Sequence, residues 1–218
     1  MAKNSRDTKI LFDSIIQEFG GKKIELDYST PFQLLCAVIL SAQTTDKQVN
    51  KVTPPFFEKI QEAQDIVNMS LEEIEGYLKY VNFFRNKSRY IKETGTILAN
   101  KYGGLIPNDI DLIQTFPGVG VKTAKVVLSV LYDMPYVGVD THIHRVLNRI
   151  GIVSTNSPIQ TDKEIERILD TETQRKIHHP VVLFGRYRCI ARKPKCHECH
   201  IAKYCDYSKS VSETVESP

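Results

Sequence analysis

Long apolar runs are missing from this 218-residue chain. No stretch approaches the roughly 20 apolar residues that a membrane-crossing helix needs. The opening MAKNSRDTKI carries no apolar signal segment either. Both absences predict a cytoplasmic protein with no membrane partner. Cysteine is scarce, with five in all, and a reducing compartment disfavours stable disulfides. Tandem repeats are absent. So is the alternation of apolar and polar residues between hairpin turns that would mark strands. What remains, 41% hydrophobic and 25% charged residues, is the balance of an ordinary globular chain, enough for one large domain or two small ones. Only the tail Ser210–Pro218 reads as disordered.

Helical patterning fills the space that strands leave. Ile10, Leu11, Ile15, Ile16 and Phe19 recur at helical spacing until Gly20-Gly21 stops them. Pro31 opens a buried helix over Phe32–Leu40, in which Cys36 reads as a small core hydrophobe. Asp46 is a candidate cap for a helix reaching toward Pro54-Pro55, and Ser70 for one beginning Leu71-Glu72-Glu73. Further helices are predicted at about 85–101, 109–115, 120–132, 141–149, 161–169 and 173–186. The fold class expected is all-α.

Four of the five cysteines gather at the end of the chain, as C-x6-C-x2-C-x5-C: Cys189, Cys196, Cys199 and Cys205. Thiolates this close can wrap one metal centre, and spacing alone admits either zinc or an iron–sulfur cluster. Around them, Arg186, Arg188, Arg192, Lys193, Lys195 and Lys203 face a single acid, Glu198. A positive surface on a metal-tied loop suits a polyanionic partner; a solvated basic face is the plainer alternative.

Residues 114–124 read QTFPGVGVKTA. Pro117 pushes the residue before it out of helical geometry. Gly118 and Gly120 allow backbone angles closed to other residues. A second helix starting near Val121 completes a two-helix hairpin around P-G-V-G, with Val119 between the glycines. The N–H groups at that helix start form a ready site for a phosphate. A nucleotide P-loop is excluded, because Val121 separates Gly120 from Lys122. Lys122 falls in the first helical turn, where a cation opposes the helix dipole; this favours the neutral amine that a nucleophile must be. Asp140, in GVDTHIHR, is its candidate partner. The helix is about 20 Å long and six extended residues span about 20 Å, so the chain can return and bring Asp140 near Lys122. Asp140 is also a natural helix cap. His142 and His144 either face DNA or pack inside.

FPGVGVKTA, then VDTHIHRVLNR, then the four-cysteine terminus together resemble the endonuclease III family of helix-hairpin-helix DNA glycosylases. The likeness runs over roughly residues 10–205. It implies a [4Fe–4S] cluster on Cys189, Cys196, Cys199 and Cys205. It also implies a six-helix domain over 24–134 with the hairpin at about 109–132, and a cluster domain joining 1–23 to 135–218, with DNA bound in a cleft between the two. The implied activity is that of a bifunctional glycosylase and abasic-site lyase of base excision repair. Lys122 would be the nucleophile and Asp140 its electrostatic partner, acting on oxidised pyrimidines and cutting 3′ to the abasic site by β-elimination.

SAQTTD matches a motif of that family, making Gln43 a candidate to fill the gap left by a flipped nucleotide. NFFRNKS resembles its G-[LF]-Y-x-x-K-A loop, making Phe83 an apolar wedge. Asn82 stands where glycine is usual, Phe84 where tyrosine is, and Ser88 where alanine is; asparagine tolerates a left-handed turn. Gly118, Val119, Gly120, His142, Arg186, Lys193 and Lys195 complete the expected contacts to double-stranded damaged DNA, made by a nucleoid-associated monomer. Two alternatives stay open: a monofunctional adenine-type mismatch glycosylase and a non-catalytic DNA-binding module. The first lacks the hairpin lysine and usually carries a further C-terminal domain; the second would need neither Lys122 nor Asp140.

Overall fold

A computed structural model describes residues 5–215, and among them there are helices and no strands. The chain divides into two compact units: Ile24–Met134, and the N-terminal segment to Lys23 together with the chain from Pro135 onward.

The unit 24–134 is organised on α2 (Pro31–Ser41), whose residues Phe32–Leu40 are all buried. Each fully buried Leu, Ile or Phe there stabilises the fold by about 1.5–3 kcal/mol. Thr30 caps this helix, its side chain accepting from Gln33 N, and Pro31 sits at the first turn, where a missing N–H costs nothing. Packed around it are α3 (Asp46–Val52), α7 (Phe84–Tyr102) and α9 (Val121–Tyr132). The remaining helices are α4 (Pro54–Phe57), α5 (Ala63–Asn68), α6 (Leu71–Leu78) and α8 (Ile110–Gln114). Against the six helices expected, the extra segments are short: α4 is a single turn and α5 has six residues.

Ser70 and Glu73 form the reciprocal cap expected at the start of α6. At α3 the cap is Thr45 rather than Asp46. Thr45 has extended angles and accepts from Gln48 N, while Asp46 lies inside the first turn, where its charge still suits the helix dipole.

The other unit packs α1 (Ser5–Phe19) and α10 (Thr141–Arg149) on α12 (Thr171–Tyr187), with α11 (Pro158–Ile168) against α10. Leu11, Ile15 and Phe19 of α1 join Ile143, Val146, Ile177, Val181 and Phe184 in one core that extends to Cys189, Ile201 and Cys205. Phe19 meets Phe184 edge to face at 6.1 Å. α10 and α12 approach closely because Gly185 has no side chain; a Cβ there would lie 2.9 Å from His142 Cβ. The segment expected to be disordered instead continues α13 (Asp206–Val215), and residues 216–218 lie outside the described part.

Candidate functional site

The hairpin begins at Asp109, which caps α8 by accepting from Asp111 N and Leu112 N. Phe116 O then accepts from Val119 N at 3.0 Å, and Pro117 O accepts from Thr94 Oγ1 of α7 at 2.9 Å. Gly118 is needed here twice over. Its φ is +79°, and a Cβ would lie within 3.0 Å of the Tyr90 ring. Gly120 departs from expectation: its angles, φ −86° and ψ 177°, are open to any residue. A Cβ at Gly120 would meet nothing within 4 Å, so its contribution is open space beside the helix start. Val119 is buried and spends its N–H within the turn, so its side chain shapes the loop from inside. The first N–H groups of α9, on Val121, Lys122 and Thr123, point out of the helix start with no intrahelical acceptor.

Two lysines ride on α9. Lys125 is buried, whereas Lys122 is exposed in the first turn, directly behind the hairpin loop. Gln43 and Phe83 belong to the same unit and are exposed, Phe83 to 61%. Both have left-handed backbones, with φ +55° and +57°. The left-handed residue of the wedge loop is therefore Phe83, not Asn82. Asn82 uses its side chain instead, donating from Nδ2 to Gln43 O at 2.7 Å.

In the other unit Asp140 caps α10, one carboxylate oxygen accepting from His142 N and Ile143 N at 2.8 Å each. Its second oxygen is not used by the cap. His142 is half-buried, and burial pulls its pKa below the ordinary value; Asp140 opposes that shift, and Arg145 and Arg186 add to it. A hydrogen bond to the Gly185 backbone also works against that shift. Arg145 Nη2 lies 3.2 Å from His142 Nδ1. His144 is occupied internally by Thr161 and Asn148.

Between α12 and α13 the described chain has little regular structure beyond two 3-10 turns, Cys196–Glu198 and Ala202–Tyr204. All four cysteines line one cavity there, with Ile150, Phe184 and Ile201 among its walls. Burial raises the thiols of Cys196 and Cys205, and Cys199 to about 11. A cationic centre bound by these three as thiolates would release protons as it loads. The donor set fits an iron–sulfur cluster: four sulfurs ring a cavity with apolar walls, and Arg149 Nη1 stands 3.6 Å from Cys189 Sγ, where it offsets thiolate charge.

Arg149 also donates to Ile190 O and Ala191 O, and Arg145 donates to Cys189 O and Gly185 O. The sequence reading missed this pair. Their signal was available, since residues four apart on α10 share one face. Arg188, one of the six basic residues around the cysteines, is ion-paired with Glu18 at 2.6 Å and Glu198 at 3.1 Å. Lys193 and Lys195 are exposed, Lys193 with a left-handed φ of +54°, and Arg186 is half-buried.

Comparison with known proteins agrees with this geometry. The family model of the HhH-GPD superfamily base excision DNA repair proteins matches residues 36–171, and that of the iron–sulfur binding domain of endonuclease III matches residues 189–205. Endonuclease III of Bacillus subtilis (strain 168) is 38% identical over 203 residues, covering 93% of each chain. Two solved structures are similar throughout. One is a trapped endonuclease III–DNA covalent intermediate, an estranged-adenine complex, at TM-score 0.88 and 37% identity, covering 96% of this chain and 99% of that one. The other is a non-covalent endonuclease III–DNA complex, at TM-score 0.89 and 36% identity, covering 97% and 99%. An all-α fold, a hairpin with an exposed lysine behind it and a four-cysteine iron–sulfur domain thus occur together, and the chain belongs to the endonuclease III family of HhH-GPD base excision DNA repair proteins.

Proposed function

We propose that this chain is a bifunctional DNA glycosylase and abasic-site lyase that removes oxidised or ring-saturated pyrimidines from duplex DNA. The observation that carries the reading is Lys122: an exposed amine in the first turn of α9, immediately behind a loop shaped to hold a phosphate. A damaged base inside the stack is out of reach, so the nucleotide is flipped out. Phe83 wedges the stack and Gln43 fills the gap. Hairpin N–H groups at Gly118, Gly120 and the start of α9 hold a phosphate near the lesion, while Arg186, Lys193 and Lys195 add backbone contacts.

Lys122 Nζ then attacks the sugar C1′, the C1′–N bond breaks, and the base leaves with that bonding pair. Asp140, through the carboxylate oxygen its cap does not use, offsets the positive charge that develops on the sugar. Opening of the sugar ring leaves an imine between Nζ and C1′. Removal of a C2′ proton then expels the 3′ phosphate, and water releases the lysine. The cluster, when bound, supplies a fixed tie for the loop bearing Lys193 and Lys195. One amine and one carboxylate from a single chain suffice, so the proposal includes a monomer acting on nucleoid DNA. His142, at the start of α10 beside Asp140, adds a contact to the DNA.

Borohydride reduction tests the reading. Incubation with a duplex carrying an oxidised pyrimidine should trap a covalent protein–DNA adduct. Lys122→Ala should abolish it while leaving duplex affinity within about 3-fold, since one exposed cation contributes little to binding. An adduct undiminished in Lys122→Ala would move the nucleophile elsewhere. Base release with no adduct in the unmodified protein would make the enzyme monofunctional.

A further inference from the structure

Gln43 and Phe83 are held in left-handed conformations that neither residue favours, and strain of this kind collects at working sites. Their two loops are bonded to one another, and α3 adds a second tie. Asn82 Nδ2 donates to Gln43 O at 2.7 Å. Gln48 Nε2 donates to Tyr80 O at 3.0 Å. Beneath them the buried Lys87 Nζ donates to Leu40 O at 2.8 Å, Ala42 O at 2.6 Å and Thr44 Oγ1 at 3.0 Å. The tips of both loops remain exposed.

We propose that Asn82 is a positioning residue: its bond to the Gln43 carbonyl joins the two loops so that Gln43 and Phe83 enter a duplex as one rigid pair. The inference rests on the roles proposed above for those two side chains. Glycine, the residue usual at this position in the family pattern, has no side chain with which to make the bond. The tether thus belongs to this chain's departure from that pattern. Asparagine suits it because the amide donates, whereas an aspartate would set a negative oxygen against the carbonyl. Gln48 and Lys87 hold the loops in register, and Asn82 alone of the three bonds to a residue that inserts. Coupling of this kind matters only where there is an opposite strand to wedge and a gap to fill.

The test uses the cluster-loaded enzyme, an undamaged duplex, a duplex with a tetrahydrofuran abasic analogue, and single-stranded DNA with a natural abasic site. In Asn82→Ala the preference for the analogue duplex over the undamaged one should fall about 5- to 10-fold, the value of one hydrogen bond and the order it imposes. Cleavage of the single strand should be unchanged. In a Gln43→Ala background the same substitution should cost less than about 2-fold, because the side chain being positioned is gone. A role confined to folding would depress both substrates together, and that result overturns the proposal. So does an unaltered duplex preference, or full additivity with Gln43→Ala. Failure of the unmodified enzyme to prefer the analogue duplex at all would count instead against the proposed function.

Discussion

The Gln43 and Phe83 loops and the cluster loop each present side chains suited to DNA, and they keep their shape by opposite means. Residues 40–44 and 80–87 are held from inside by a lysine. The buried Lys87 ammonium donates to three oxygens at the end of α2 and just beyond it, and Lys92 does the same for Ile66 O, Val67 O and Met69 O at the end of α5. Each cation closes off carbonyls that a helix end leaves without partners. Residues 189–205 have no such helix end to complete. Their carbonyls are gathered by Arg145 and Arg149, and the rest of the order must come from what the four cysteines bind. One region is ordered by its sequence alone; the other is completed by a prosthetic group.

The largest effect expected from this contrast follows Cys205→Ala. Without the fourth thiolate the cluster should be lost and residues 189–205 should lose amide protection. The helices of 24–134 should keep theirs, as hydrogen exchange would show. The salt dependence of duplex binding should lose about two phosphate contacts, those of Lys193 and Lys195. Equal loss of protection in both units would erase the distinction.

Next in size is Lys87→Met, expected to cost about 2–4 kcal/mol because three oxygens lose a charged donor. Burial pulls the Lys87 pKa from 10.5 to about 8. Between those values the unfolded chain holds a proton that the folded chain has released, so Lys87 makes stability rise as pH climbs from 8 to 10.5. Urea unfolding across that window should show the rise in the parent and a flatter profile in Lys87→Met. Identical profiles would mean that Lys87 does not titrate there.

The smallest effect sharpens the comparison within the lysine-held region. Ser88 Oγ is buried with no partner, at a position where the family pattern has alanine. Ser88→Ala should stabilise the protein by about 1 kcal/mol, seen as a raised Tm. A loss of stability would show that the hydroxyl is bonded in solution.

Much of this was legible in the chain because glycine, proline and cysteine mark geometry directly. The P-G-V-G turn, the Ser70 cap and the four-cysteine loop are each forced by residue types with few alternatives. Harder to read were choices between neighbours. Thr45 and Asp46 are both good caps, and only backbone angles decide between them. Asn82 is the better left-handed residue, yet Phe83 takes that conformation, and Asn82's side chain bonds to Gln43 O. Lys87, Arg145 and Arg149 were hidden for another reason: long basic side chains usually mean surface, and their work on internal carbonyls depends on tertiary neighbours that no local pattern encodes. Helix α13 has no counterpart among the predicted helices, and it runs into the tail that composition marks as disordered.

The central claim is that the amine of Lys122 becomes bonded to deoxyribose. The direct measurement is a peptide map of the borohydride-reduced adduct after proteolysis, read by mass spectrometry. The account predicts the added sugar–phosphate mass on Lys122 alone; finding it on Lys125, on the N-terminal amine or on any other lysine would contradict it.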